Sequence, residues 1–296
     1  MGNTMVLSLW MLAALASFCI LAIGARELSS ELSIAQSLCI RSAIGLIFLS
    51  CIYVIRARYQ HKTSIKAAKK YNGMRLKLHF FRNIFHFLAQ YGWFFGIGFL
   101  PLAQVFALEF TVPIWTLLIA SVFLNEKITK AKLVAIFLGT LGVVVIVQPG
   151  YEIVDMASLV VLGSAVCFAI SHTATKSLAS VESPLNILLY MCLIQFPIAL
   201  MLSLSSWVWP HTEQWFWLTI IGLSALSAHY CLAKAMQYAE VTLVLTLDFL
   251  RLPLIALVGV LFYNEAFELP LLLGGGLMLL GNLIAIRGFK VLSGKD

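Results

Sequence analysis

The chain has 296 residues, of which 61% are hydrophobic and only 11% are charged, and its mean hydropathy is +0.96. A soluble globular protein carries about 25% charged residues, so this composition excludes a protein whose whole surface faces water. The net charge of +7 does not indicate a nucleic acid partner, because the basic residues concentrate between apolar segments, chiefly at 56–78. We expect an all-α polytopic membrane protein in a lipid bilayer.

Apolar segments of about 20 residues follow one another along the chain, and each is long enough to cross a hydrocarbon core of about 30 Å. The first has no positive charge in its leader, Met1 to Thr4, so we interpret it as a retained helix rather than a signal peptide. The connections are short except for 56–78. The ten predicted spans are 5–24, 33–55, 79–98, 102–123, 132–148, 157–177, 185–205, 214–234, 240–262 and 270–288.

Lysine and arginine residues between the spans predict the orientation of the chain. With the amino terminus in the cytoplasm, the inner loops and the carboxyl tail hold 15 of these residues, and the outer loops hold Arg26 alone. The positive-inside rule favours this orientation. Both termini are therefore expected in the cytoplasm, and the protein is expected in a cell membrane, the bacterial cytoplasmic (inner) membrane.

The pattern of residues 89–142 recurs 139 residues later, with thirteen identical positions that include Asn125-Glu126 and Asn264-Glu265. If each copy spans the membrane five times, the second copy lies upside down relative to the first. Inverted repeats of this kind are a recurrent construction in secondary transporters, where they alternate access to a central site. We expect two inverted five-helix units, 5–148 and 157–288.

Glu109 and Asp248 occupy equivalent positions of the two copies, deep in apolar spans, where a charge is costly and indicates function. Arg251 lies on the same helical face as Asp248. This pair either neutralises itself for packing, or Arg251 attracts an anionic group of the substrate while Asp248 holds it. Glu109 must be protonated, face a wet cavity or pair with another helix, and a proton gained and lost there would couple transport to a proton gradient. The candidate partners of Glu109 are Arg82, Arg41 and Lys234.

Other polar and aromatic residues extend this candidate site. Arg82, His86 and Gln90 share one stripe of span three, although Arg82 can instead snorkel to the cytoplasmic surface. Four aromatic residues either stack on a planar substrate or pack in the membrane, namely Tyr91, Trp93, Trp115 and Tyr230. The expected substrate-binding residues are Glu109, Asp248, Arg251, Arg82, His86, Gln90, Tyr91, His229, Tyr230 and Trp115.

Prolines, glycines and helix-end acids predict features of the scaffold. Pro113 and Pro253 each remove a helix hydrogen bond in mid-span and can kink the chain there. Glu126 and Glu265 at span ends can cap or lock the structure. The sequence holds no nucleotide-binding loop, catalytic triad or metal-ligand cluster, so neither a cofactor nor a metal is expected. Glycines that permit close helix contact, within a protomer or in a homo-oligomer, are Gly139, Gly142, Gly274, Gly275, Gly276 and Gly281.

Several of these motifs together resemble the EamA-type drug/metabolite transporters. They are Leu100-Pro101-Leu102-Ala103-Gln104, Pro113, Leu124-Asn125-Glu126, Gln237-Tyr238-Ala239-Glu240, Asp248-Phe249-Leu250-Arg251-Leu252-Pro253, Asn264-Glu265 and Arg41. The resemblance implies a ten-helix secondary transporter of small metabolites, with a central cavity lined by spans one, three, four, six, eight and nine. The chain departs from the pattern at Glu109, where a small or apolar residue is more common, and at Pro253, which falls opposite Ile114 in the repeat.

The leading hypothesis is a secondary active transporter of a small polar or zwitterionic metabolite, amino-acid-like or nucleoside- or nucleotide-like, working by alternating access with proton coupling or exchange. The alternative is an integral-membrane enzyme that acts on lipid head groups. Such enzymes usually expose several polar catalytic residues near one interface, whereas here the unusual charges lie at depth and the loops are short. We therefore expect a transporter and not an enzyme.

Overall fold

A computed structural model describes residues 3–28, 31–60, 73–100, 102–147, 156–263 and 269–293, and over these residues the chain is helical without strands. Short 3-10 turns lie at Leu204–Ser206 and Asp248–Leu250. The α-helices are α1 (Asn3–Leu28), α2 (Ile34–Gln60), α3 (Gly73–Phe99), α4 (Leu102–Glu109), α5 (Val112–Phe123), α6 (Lys130–Val147), α7 (Met156–Ala179), α8 (Pro184–Ser203), α9 (Thr212–Tyr238), α10 (Val241–Leu247), α11 (Arg251–Tyr263) and α12 (Leu269–Ser293).

Within the described residues, five helices are long and apolar enough to cross a membrane, namely α1, α2, α7, α8 and α9. Large apolar side chains also cover the outside of the molecule. Phe123, Phe137 and Leu261 each expose more than 60% of their surface, as expected for side chains that face lipid rather than water.

The predicted spans 102–123 and 240–262 are not continuous helices, which corrects the sequence-based prediction. The first is divided between α4 and α5, and the second between α10, the 3-10 turn and α11. Pro113 and Pro253 explain both interruptions, because a proline has no N–H to donate and its ring clashes with the carbonyl group four residues earlier. Those carbonyls belong to Glu109 and Phe249. The two equivalent acids, Glu109 and Asp248, therefore lie at helix breaks.

Four helix pairs form the main contacts of the scaffold: α1 packs on α9, α3 on α7, α2 on α8 and α6 on α12. The α6–α12 pair is especially close. A Cβ atom on Gly142 would lie 2.6 Å from the carbonyl oxygen of Gly274, and one on Gly281 would lie 2.9 Å from that of Ala135. Glycine is required at both positions, so these two permit close helix contact within the chain. Gly276 meets open space instead.

The turn after α5 explains the asparagine of the repeated Asn-Glu motif. The backbone N–H groups of Leu124 and Glu126 both donate to the carbonyl oxygen of Ala120, at 2.9 and 3.2 Å. Asn125 between them has a φ of 54°, in the left-handed region that asparagine tolerates better than most residues. This turn aims the side chain of Glu126 back toward α10.

Glu126 caps the amino-terminal end of α10, which is one of the roles the sequence predicted for it. Its carboxylate accepts hydrogen bonds from the backbone N–H of Val241 at 2.8 Å and from the hydroxyl of Thr242 at 2.7 Å. The ammonium of Lys132 lies 3.4 Å from Glu126 and 2.6 Å from Glu240. The equivalent Glu265 lies outside the described residues.

Candidate functional site

A cavity with an empty volume of about 720 Å³, part of it open to solvent, lies between the interrupted helices and their neighbours. Its walls come from spans one, three, four, six, eight and nine, as the family resemblance implied, and Arg41 adds a contribution from span two. Aromatic side chains form much of the wall, namely Phe18, Trp93, Phe94, Phe110 and Phe168. A mostly apolar cleft with a few converging polar groups is the usual form of a small-molecule site.

Arg251 joins the two acids of the repeat. One of its nitrogens, Nη2, lies 2.6 Å from Oε1 of Glu109 and 3.0 Å from Oδ2 of Asp248. The indole N–H of Trp93 donates to the other oxygen of Glu109 at 2.7 Å. Two carboxylates therefore share one guanidinium, and this end of the cavity is rich in acceptors.

The partner of Glu109 is thus Arg251, and not Arg41, Arg82 or Lys234 as the sequence suggested. The reason is the pair of helix breaks, which brings the end of α4 next to the start of α11. The alternative that Asp248 and Arg251 form a self-contained pair is also incomplete, because Glu109 belongs to the same cluster.

The cluster keeps bonding capacity that no described residue uses. Oδ1 of Asp248 and Nε of Arg251 are both buried without a hydrogen-bond partner. Buried polar atoms are normally satisfied, so two unsatisfied atoms in residues that line a cavity single out this cluster as a functional candidate. The guanidinium carbon of Arg251 also lies 5.0 Å from the ring centre of Phe18, 5.6 Å from that of Phe106 and 5.5 Å from that of Phe110, within the range of cation–π attraction.

A second polar cluster lies around Arg41. Its Nη2 donates to Gln90 at 2.8 Å and to Gln195 at 3.0 Å. Both amide nitrogens in turn face His86, whose ring centre is 4.7 Å from that of His229. Gln90 and His229 line the cavity together with Arg41, whereas His86 lies behind them.

Arg82 does not snorkel to the surface, which corrects the expectation that it reaches the cytoplasmic interface. Only 2% of the residue is exposed, and its guanidinium donates to Thr175 at 3.0 Å and to Asn83 at 2.7 Å. It packs behind the cavity wall next to the Arg41 cluster.

Three of the expected aromatic residues lie away from the cavity. Tyr91 is 38% exposed and packs on Phe87, Tyr230 meets Trp10 edge-on, and the N–H of Trp115 donates to Thr111. Helical phase explains two of these errors. Tyr91 and Tyr230 directly follow the lining residues Gln90 and His229, and each step along an α-helix turns a side chain by about 100°.

The sequence matches the model of the EamA-like transporter family over residues 5–148 and 155–287. The chain belongs to this family. A riboflavin transporter of Vibrio cholerae is 31% identical over 200 residues, which cover 66% of this chain and 67% of that protein. An S-adenosylmethionine uptake transporter of Rickettsia bellii is 23% identical over 243 residues, or 82% and 81% of the two chains. A crystal structure with 17% identity shares the fold, with a TM-score of 0.78 over 94% of this chain and 97% of its own.

Membership of the EamA-like family confirms the resemblance found in the sequence and identifies the chain as a multi-pass membrane protein. These relatives are small-molecule transporters, which confirms the expectation of a transporter rather than an enzyme.

Sequence reasoning on this EamA-like chain missed part of the cavity. Arg41, a charge in the middle of an apolar span, was considered only as a family feature and as a partner of Glu109, although an intramembrane charge is itself a signal of function. Gln195, which accepts a hydrogen bond from Arg41 but does not line the cavity, carried the same signal more weakly, as a polar residue in span seven. Phe18 and Phe168 carried none, because an aromatic residue in a membrane helix is equally typical of packing.

Proposed function

We propose that this protein is a secondary active transporter that moves a small polar or zwitterionic metabolite, amino-acid-like or nucleoside- or nucleotide-like, by alternating access. The observation that carries the proposal is the position of Glu109, Asp248 and Arg251. All three lie at paired interruptions of two equivalent helices and line one cavity. Interrupted helices around a central site are a recurring feature of secondary transporters.

The proposed architecture has ten spans in two inverted units, 5–148 and 157–288, with both termini in the cytoplasm. The α6–α12 contact supports it. Gly142 meets Gly274, and Gly281 meets Ala135. At the repeat spacing of 139 residues, Gly142 is equivalent to Gly281 and Ala135 to Gly274. The repeat therefore maps the Gly142–Gly274 contact onto the Gly281–Ala135 contact. These contacts also make α6 and α12 antiparallel, as a two-fold axis in the membrane plane requires.

The substrate class follows from the two ends of the cavity and from the relatives. Acidic and basic groups line the same space, so a metabolite with groups of both signs finds a partner for each. The rings of Phe18, Trp93 and Phe168 offer flat apolar surfaces to a planar group. The relatives named for riboflavin and S-adenosylmethionine transport both point to compounds that combine a ring system with polar groups.

We further propose Asp248 and Arg251 as organisers of the site and Glu109 as the group that responds to a proton or to substrate. Protonation of Glu109 would remove one of the two charges that hold Arg251 and leave Asp248 as its remaining carboxylate. This end of the cavity would then carry one negative charge less, which changes its attraction for the donor groups of the substrate. Transport is thereby coupled to a proton gradient or to exchange of a second solute.

Counterflow in proteoliposomes tests the transport proposal. Proteoliposomes that contain the protein are loaded with an unlabelled compound. Uptake of the labelled form is then measured for riboflavin, S-adenosylmethionine, amino acids and nucleosides. We expect saturable counterflow of at least one compound and at least a ten-fold loss in Asp248→Asn. The matched control is Glu213→Gln, which changes an exposed acid and should transport normally. Full activity of Asp248→Asn would refute its role, and no counterflow with any compound would refute the substrate class.

An imposed pH gradient tests the role of Glu109 separately. We expect uptake by the wild type to increase with the gradient and residual uptake by Glu109→Gln to be insensitive to it. Retention of the full dependence by Glu109→Gln would rule out this carboxyl as the coupling group. If wild-type counterflow does not depend on pH, transport is coupled to exchange of a second solute and not to a proton gradient.

A further inference from the structure

Two buried arginines of this protein have no acidic partner among the described residues. Arg41 and Arg82 are 4% and 2% exposed, yet every carboxylate found in an ion pair lies with another cation. Arg251, in contrast, contacts two carboxylates. A buried guanidinium without a counter-ion is strongly unfavourable, and in a membrane span it marks a substrate or ion pathway.

The surroundings of Arg41 contain more hydrogen-bond donors than acceptors. Arg41 uses the side-chain oxygens of Gln90 and Gln195, which turns both amide nitrogens toward His86, at 3.3 and 2.8 Å from its two ring nitrogens. A histidine ring accepts a hydrogen bond at no more than one nitrogen. One of these two contacts therefore brings two donors together. An acidic group bound to Arg41 would add an acceptor to this cluster and so relieve the contact between two donors.

The basic cluster is accessible from the cavity. Arg41, Gln90 and His229 line the same space as Glu109, Asp248 and Arg251. The hydrogen bonds of Arg41 to described residues use Nη2 alone, which leaves its other nitrogens for a ligand. Arg82 lies behind this wall and adds positive charge without lining the space.

Phe18 separates the two ends of the cavity. Its ring centre is 5.0 Å from the guanidinium carbon of Arg251 and 5.5 Å from the ring centre of His229. The Arg251 end carries two acids for one base, whereas the Arg41 end carries bases without an acid. A bound molecule that spans Phe18 would therefore meet opposite charge preferences at its two ends.

We propose that Arg41, with Gln90 and His229, binds an acidic group of the transported metabolite, a carboxylate or a phosphate, while the donor groups of the same molecule face Glu109 and Asp248. This inference rests on the proposed function, since it takes the cavity to be the transport path. It assigns the anion to Arg41 and not to Arg251, because Arg251 already holds two carboxylates.

Anion binding to the purified full-length protein in detergent tests this assignment. Thermal unfolding and tryptophan fluorescence are followed while chloride is replaced by inorganic phosphate or by acetate at constant ionic strength. We expect a saturable increase in unfolding temperature with at least one of the two anions, and the more effective anion identifies the acidic group as phosphate or carboxylate. In Arg41→Gln the apparent affinity should fall at least ten-fold. The matched control is Arg287→Gln, which removes an exposed arginine and should bind like the wild type.

A second variant keeps the test decisive if Arg41→Gln does not fold. Gln90→Glu retains the side-chain length and places a carboxylate 2.8 Å from the guanidinium, where Gln90 now accepts its hydrogen bond. We expect this built-in anion to abolish binding of phosphate and acetate while the variant unfolds at or above the wild-type temperature. No saturable effect of either anion on the wild type, or unchanged binding by Gln90→Glu, would overturn the assignment.

Counterflow distinguishes a failure of this inference from a failure of the proposed function. If a compound shows counterflow that neither phosphate nor acetate inhibits, the proposed transport function is supported and the proposed anion site is refuted. Saturable anion binding without counterflow of any compound would keep the anion site and remove the transport proposal.

Discussion

Two buried glutamates of this protein each contact a basic residue, yet they are used differently. Glu126 is surrounded by donors on every side: the N–H groups of Val241 and Thr242, the hydroxyl of Thr242 and the ammonium of Lys132. It lies at the junction of α9 and α10, where Lys176 also donates to two backbone carbonyls. A fully satisfied polar network of this kind fixes a structure.

Among the described residues, Glu109 accepts hydrogen bonds from two donors, Arg251 and Trp93, and it faces a cavity. Its cluster contains a carboxylate oxygen of Asp248 and a guanidinium nitrogen that no described residue satisfies. Burial and an ion pair therefore do not by themselves distinguish a structural acid from a functional one. The two acids differ in how completely the protein satisfies their surroundings: donors of the protein fill the Glu126 network, whereas the Glu109 cluster lines a cavity and keeps two unsatisfied atoms.

The largest effect is expected on stability, from Glu126→Ala. The variant loses the cap of α10 and leaves Lys132 with Glu240 alone, and removing one partner of a buried ion pair destabilises a protein by about 3 kcal/mol or more. Thermal unfolding of the purified protein measures the loss. Glu240→Gln removes the more exposed partner of Lys132 and should cost less than about 1 kcal/mol. Equal unfolding temperatures for Glu126→Ala and the wild type would refute the structural role of Glu126.

Glu109→Gln should have the opposite profile, with transport lost and stability nearly kept, because the glutamine amide still accepts hydrogen bonds and Asp248 remains as the counter-ion of Arg251. A hydrogen bond to a charged group contributes about 1.5–3 kcal/mol, which corresponds to a loss of about ten-fold or more in the transport rate. Counterflow and thermal unfolding are measured on the same preparation. The two glutamates would be structural alike if Glu109→Gln unfolded as early as Glu126→Ala.

A smaller effect is expected from Trp93→Phe, which deletes the donor to Glu109 but keeps most of the ring. This hydrogen bond to a carboxylate, taken at the lower end of the same range, about 1.5 kcal/mol, predicts a rise of about ten-fold in the half-saturation concentration for counterflow. Trp215→Phe changes a tryptophan that is 42% exposed and should leave this concentration unchanged. If both variants behave alike, Trp93 does not position Glu109.

The smallest effect is expected from Tyr91→Phe, because this hydroxyl lies outside the cavity and the side chain is 38% exposed. Counterflow should stay within about two-fold of the wild type, as is usual for surface substitutions. A loss of more than five-fold would return Tyr91 to the site and contradict the geometry of α3.

The sequence was sufficient for features that depend on chain periodicity or on the chemistry of one residue. It predicted the helical membrane class and, as one of two roles, the capping by Glu126, whereas the equivalence of Glu109 and Asp248 stays a prediction from the repeat. It also predicted kinks at Pro113 and Pro253. It did not predict that these kinks divide each span in two, because a proline in a helix can bend the chain or break it, and the neighbouring helices decide which occurs.

Features that depend on contacts between spans were beyond the sequence. Nothing in the order of residues indicates that Arg251 donates a hydrogen bond to Glu109, 142 positions away, or that Arg41 donates one to Gln195. The error at Tyr91 has a local cause. Of the stripe of Arg82, His86 and Gln90, Gln90 lines the cavity, and Tyr91 lies one residue and about 100° from it.

The repeat leaves one further consequence at Arg251. At the repeat spacing of 139 residues the corresponding position in the first half is Val112, so the proposed duplication would supply two acids but a single base. If both halves were identical, exchanging their conformations would leave the energy of the molecule unchanged, and the two end states of the proposed cycle would be equally populated. With valine opposite arginine this degeneracy is lifted, so in the proposed cycle the two end states would differ in energy, and substrate or a proton would supply the difference.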